Sequence, residues 1–193
     1  MRLKKTLVLG LFAMILTGWI VVGSGSAQEL NMPFPSYGTG PVEVRLYTDY
    51  FCSPCRAMEP VVEPLLRDLL KKNAIHLILV DVSTYKFSSL YAGCFLSALR
   101  EKNDFEHALR VRNLLSEAAA GMNVLTQEGI EALFKEKGIS YSSWDAKPAF
   151  DRYNALIKED KITGTPNCVM ILDGERKKIF GASGIILHLK RLQ

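Results

Sequence analysis

Histidine is scarce in this chain. There are three, His76, His107 and His188, and no two stand at the spacing of ligands to one metal. Cysteine is scarce too. Four cysteines in 193 residues are too few for a disulfide scaffold, and a chain of this length does not need staples to fold. No Gly-rich phosphate loop, paired-carboxylate site or serine-nucleophile elbow is present. Internal repeats and low-complexity stretches are missing as well. An excess of one charge is also lacking. The balance is 24 basic against 20 acidic residues, and without Arg2, Lys4 and Lys5 of the N-terminal segment it is 21 against 20. Nucleic acid is therefore not an expected partner.

What is present starts with a leader. "MRLKK" is basic, "TLVLGLFAMILTGWIVV" is apolar, and "GSGSA" ends in small residues. That order predicts a secretory signal over 1–27, with cleavage after Ala27. The alternative is an uncleaved inner-membrane anchor, for which the apolar run falls slightly short of the roughly 20 residues of a comfortable span. No cysteine lies near the cleavage point, so no lipid attachment is expected. The terminal "KRLQ" is not a retention signal. A hydrophobic fraction of 48% suits a globular core in the remaining chain.

Residues 28–40 are rich in Pro, Gly and polar side chains and read as a lead-in or linker. Val42, Val44 and Leu46 alternate with polar neighbours and predict a strand over 42–50. The spacing of Met58, Val61, Val62, Leu65, Leu66, Leu69 and Leu70 predicts a helix over 53–73. Pro54 falls in its first turn, while Pro60 and Pro64 interrupt it. "IHLILVDV" (75–82) suits a strand buried on both faces. From 84 to 160 apolar residues recur at three- and four-residue steps, predicting about four helices, the last opened by Lys147-Pro148. "CVMIL" and "KKIFG" then flank Asp173-Gly174 and predict a hairpin. A closing helix follows, with Ser183 as the candidate N-cap. A helix between neighbouring strands implies a parallel pair, so the chain reads as one α/β domain, 41–83 with 161–193, carrying a helical insertion at 84–160.

The chemistry centres on "YFCSPCRAMEP" (50–60). Cys52 ends a strand and Cys55 lies in the first turn of the next helix. Unpaired N–H groups at a helix start favour an anion, which predicts a stabilised, nucleophilic thiolate at Cys52. Cys55, one turn on, can attack a mixed disulfide from within. Alone, the motif leaves three readings open: a redox centre, half of a zinc site, or a static clip in a binding domain. A zinc site needs a second ligand pair, and Cys94 and Cys168 are single and far apart, so neither metal nor cofactor is expected.

"CSPCRAMEP" resembles the thioredoxin superfamily, with Cys-x-Pro-Cys, a basic residue, and a proline five residues beyond the second cysteine. "TGTPNCVMILDGERKKIFGASG" (163–184) resembles the loop, hairpin and glycine that follow downstream in that superfamily. With a helical block between the two, the chain is similar to the DsbA-like thiol–disulfide oxidoreductases. The resemblance implies a thioredoxin fold and catalytic Cys52 and Cys55. It also implies a cis Pro166, with the Thr165 backbone pairing with a substrate strand. It further implies a periplasmic location, with unfolded or partly folded exported proteins as substrates and a membrane redox partner that recycles the cysteines. The short lead-in implies a monomer. Two departures stand out. The dipeptide Ser53-Pro54 has no histidine, and Leu46 stands where the superfamily often buries an acid. Asp49 opposes a thiolate and Arg56 favours one. The direction of electron flow, oxidase or reductase, therefore stays open, with dithiol oxidation the first reading.

Cys94 and Cys168 each read as buried core thiols, and a Cys94–Cys168 disulfide is left open. Trp144, Tyr141 and Tyr153 read as helix-packing aromatics. "RKK" (176–178) reads as a solvated edge and "DFEHALRVR" as a helix exterior.

Overall fold

The computed structural model describes residues 32–193. The expected leader and its cleavage after Ala27 lie outside the described residues. The elements run β1 (Ser36–Tyr37), β2 (Val42–Thr48), α1 (Ser53–Lys71), β3 (Ile75–Asp81), α2 (Ser88–Glu101), α3 (Phe105–Gly121), α4 (Gln127–Glu136), α5 (Lys147–Glu159), β4 (Asn167–Leu172), β5 (Glu175–Phe180) and α6 (Ala182–Lys190). They build one sheet in the order β1-β3-β2-β4-β5. β2 and β3 are parallel, joined through α1, and the other pairings are antiparallel.

Alternation along the strands sends residues to two cores. Val44, Leu46, Leu77, Leu79, Cys168 and Met170 pack with α1 and α6. Helices α2, α3 and α4 extend the same cluster through Tyr91, Phe95, Val111, Leu115, Ile130 and Phe134. On the other face Tyr47, Ile78, Val80 and Val169 meet Phe34, Leu96 of α2, and Ala149 and Tyr153 of α5. Residues 32–193 form one compact unit, so the helices between β3 and β4 share the sheet's own core.

Local chemistry sets the ends. Asp104 and Thr126 cap α3 and α4 by accepting from His107 N and Gly129 N. Asp173 and Gly174 both have positive φ, 50° and 83°, as a two-residue hairpin turn that matches strand twist requires. α1 is one helix with Pro60 and Pro64 inside it.

Two expectations change. The lead-in is part of the fold: Phe34 and Tyr37 are buried and β1 pairs with β3. At Gly40 an added Cβ would stand 2.2 Å from Ile75 N, so only glycine lets the lead-in lie on this backbone. Ser183 is not the N-cap of α6. Gly181 is, at φ 85°, two residues earlier, and the helix opens at Ala182.

Candidate active site

Four predicted residues come together at the C-terminal end of β2. Cys52 is the N-cap of α1, and its Sγ accepts from Cys55 N at 3.3 Å. The same sulfur donates to Thr165 O at 3.5 Å. The Thr165–Pro166 bond is cis, and Pro166 O is held by Gly181 N at 3.0 Å. Cys55 is fully buried. Burial, and its hydrogen bond with Cys52, push its thiol far above the ordinary range. All four cysteines are free thiols, so the pair is described as the dithiol.

The loop before Cys52 is clamped residue by residue. Asp49 is buried, and its carboxylate accepts from Phe51 N at 2.9 Å, Thr84 N at 3.0 Å and Ser88 Oγ at 2.7 Å. Its charge is thus spent on ordering the loop. Arg56 donates to Tyr50 O at 2.8 Å rather than standing free beside the thiols. Phe51 packs with Tyr91, ring centroids 4.9 Å apart, and with Tyr85 and Phe87 further out. Phe180 is 71% exposed and lies beside Gly164 of the cis-proline loop.

Sequence reasoning missed a charged cluster behind this loop. Arg112 of α3 lies in the stretch read as a helix exterior, yet it is only 5% exposed. It donates to Asp81 Oδ1 at 2.7 Å, Thr48 Oγ1 at 2.6 Å and Tyr50 OH at 3.4 Å. Its guanidinium lies 3.6 Å from Glu59 of α1, whose other oxygen accepts from Ser116 Oγ at 2.9 Å. Burial raises the carboxyls of both Asp81 and Glu59, against the pull of Arg112. A second cluster lies at the end of α5. There Asp160, with a fully buried side chain, accepts from Tyr47, Arg45 and Arg176. Arg176 and Lys178 of the presumed solvated edge are tied to that helix end.

The Cys94–Cys168 disulfide is not formed. Cys94 faces Tyr141 and Glu131, while Cys168 sits in the sheet between its partners Leu46 and Ile179. Burial pushes both thiols up to about 12. Among the described residues no cluster of His, Cys, Asp or Glu could hold a metal ion.

A family model described as Thioredoxin matches residues 38–178. The chain belongs to the thioredoxin family. No match is found among curated proteins. Solved structures share the fold. A periplasmic thioredoxin-like protein of Salmonella enterica serovar Typhimurium is 19% identical, with a TM-score of 0.59 over 85% of this chain and 94% of that one. The catalytic domain of Proteus mirabilis ScsC is 18% identical, TM-score 0.60, over 83% and 89%. The alpha-DsbA1 of Wolbachia pipientis is 14% identical, TM-score 0.62, over 82% and 90%. This thioredoxin-family chain thus has the thioredoxin-like fold of DsbA- and ScsC-type proteins, with a Cys52-x-x-Cys55 pair at the N-terminus of α1.

Proposed function

We propose that the chain is an exported, monomeric thiol–disulfide oxidoreductase acting on polypeptide thiols, and that it works as a dithiol oxidase. One observation carries the reading. Cys52 Sγ sits where the Cys55 N–H in the first turn of α1 points at it, against the carbonyl of Thr165 in the cis-proline loop. Unpaired donors at a helix start favour an anion, and stabilising the reduced form of a thiol pair makes its disulfide form a better oxidant.

In the oxidised protein, a substrate thiolate attacks Cys52 Sγ. The Cys52–Cys55 bond breaks, Cys55 leaves as a thiolate and takes up a proton, which its burial favours. A second substrate thiolate attacks the substrate sulfur of the mixed disulfide. The substrate disulfide forms, Cys52 leaves as a thiolate, and two electrons have passed to the pair. A membrane redox partner then removes them. The substrate strand pairs with the Thr165 backbone, and the exposed Phe180 ring beside that loop suits an unfolded chain. The periplasmic Salmonella relative supports the same compartment.

The absent histidine in Ser53-Pro54 favours a second reading, the same chemistry run as a reductase. The reduction potential of the pair decides between them, measured against glutathione with Cys94→Ala and Cys168→Ala. A potential more oxidising than glutathione supports the oxidase. One near cytosolic reductants supports the reductase. Cys55→Ser should trap mixed disulfides and Cys52→Ser should abolish exchange. Full exchange by the Cys52→Ser protein would refute both readings.

A further inference from the structure

We propose that Arg112, delivered by the helical block, is a positioning residue that fixes the Cys52 loop from behind. This deepens the reading above and rests on Cys52 being the attacking thiol.

Tyr50 stands two residues before Cys52. Tyr50 is held at both ends. Its carbonyl accepts from Arg56, and its hydroxyl lies between Asp81 Oδ2 at 3.3 Å and Arg112 at 3.4 Å. The guanidinium also lies over the Tyr50 ring, 5.0 Å from its centroid, and 5.3 Å from that of Phe95 on α2. A planar fork can reach Thr48, Asp81 and Tyr50 together, which the single ammonium of a lysine does not reproduce. Arg112 therefore joins the ends of β2 and β3 to the loop that leads into the N-cap of α1.

Its reach into α1 strengthens the case. Arg112 and Ser116, one turn apart on α3, take the two oxygens of Glu59. Glu59 lies one turn beyond Cys55, so the same helix face grips α1 just past the thiols. A cavity of about 20 Å³ lies there, lined by Leu46, Thr48, Met58, Glu59 and Arg112 among others. Leu46 brings no charge to that space from the sheet, while Glu59 and Arg112 reach it from the helices. The charged groups at this cavity thus come from α1 and α3, while β2 supplies only the neutral Thr48 hydroxyl.

The contact between Cys52 Sγ and Cys55 N depends on where the loop ends. Loosening Tyr50 lets the N-cap drift and weakens that contact. The test uses the full chain with Cys55→Ser, Cys94→Ala and Cys168→Ala, leaving Cys52 as the one thiol. Iodoacetamide alkylation is followed from pH 5 to pH 9, with far-UV circular dichroism and Tm as controls for folding. Arg112→Lys is expected to slow alkylation at pH 7 about tenfold and to move the pH profile, in protein that is still folded. A lower Tm with a rate within about twofold of the parent and an unmoved profile would make Arg112 a staple only and overturn the proposal. Should Arg112→Lys fail to fold, Tyr50→Phe removes only the hydroxyl. A slower rate and shifted profile support the proposal, and an unchanged profile overturns it. Alkylation requires no exchange activity, so this result stands apart from whether the protein oxidises substrates.

Discussion

Asp160 offers a quantitative test of what holds the helical block on the sheet. Its carboxylate is fully buried and accepts from Arg45, Tyr47 and Arg176, while its backbone N–H caps the C-terminal end of α5. Two effects oppose each other in Asp160→Ala. An anion at a helix C-terminus is unfavourable by about 0.3–1 kcal/mol, and its removal relieves that. Breaking a buried ion pair costs about 3–5 kcal/mol, because the remaining charge is stranded. Here the stranding is partial. Arg45 keeps Glu43 at 2.5 Å and Glu159 at 3.1 Å, and Arg176 keeps Glu159 at 2.5 Å. The low end of the range therefore applies, and after the relieved helix-end repulsion the expected net loss is about 2–2.5 kcal/mol. For a chain of this size that lowers Tm by about 4–10 °C. Urea unfolding followed by circular dichroism measures it. Arg176→Ala, at the half-exposed end of the cluster, should cost about 1 kcal/mol or less. A loss under about 1 kcal/mol for Asp160→Ala would show that solvent screens the whole cluster and would refute the reasoning.

Other outcomes follow from the same geometry. Glu59 has its carboxyl raised, first by burial, so the folded chain holds that proton longer than the unfolded chain does; stability should fall as pH rises past the ordinary value of 4.5. Glu59→Gln should flatten this slope in urea titrations between pH 4.5 and 8, and an identical slope would count against a buried, titrating Glu59. Reduced native protein should release about two equivalents of thionitrobenzoate from Ellman's reagent quickly, as Cys52 reacts and Cys55 resolves. Cys94 and Cys168, both pushed up to about 12, should react only in denaturant; fast labelling of either in native protein contradicts their burial. Gly40→Ala would drive a Cβ into Ile75 N and the Ala74 carbonyl carbon, costing about 1–3 kcal/mol and exposing Tyr37 to solvent. Unchanged stability and protection of the β1 amides from exchange would refute that fit. Light scattering should give a monomer, and a stable dimer would contradict that part of the proposed function.

Where period and turn chemistry were strong, the sequence was readable. The alternation of β2, the apolar run of β3, four helical patterns and the Asp173-Gly174 turn all have their counterparts in the structure. β1 was invisible because two residues cannot show an alternation. Its signal lay in the aromatics of "MPFPSY", of which Phe34 and Tyr37 are buried. The thiol pair and the Thr165–Pro166 loop could be named because each carries a local motif. Arg112 and Glu59 could not. On their own helices both look like ordinary surface charges, and only the packing of α3 on α1 and β3 turns them inward. Asp160 was hidden the same way, since its partners come from β2 and β5. Long-range charge pairing leaves no period in a sequence.

The strand order has a consequence for a chain that emerges from N- to C-terminus. β2 lies between β3 and β4. β3 follows within one helix, but β4 comes only after all four helices of the block have emerged. For that interval one edge of β2 has no partner, and unpaired edges recruit other chains. The same delay applies to the cis-proline loop, which precedes β4 directly. Cys52 thus emerges well before Thr165 arrives to cover it. In its own synthesis this protein passes through the state of its proposed substrates: an incomplete sheet with a thiol uncovered.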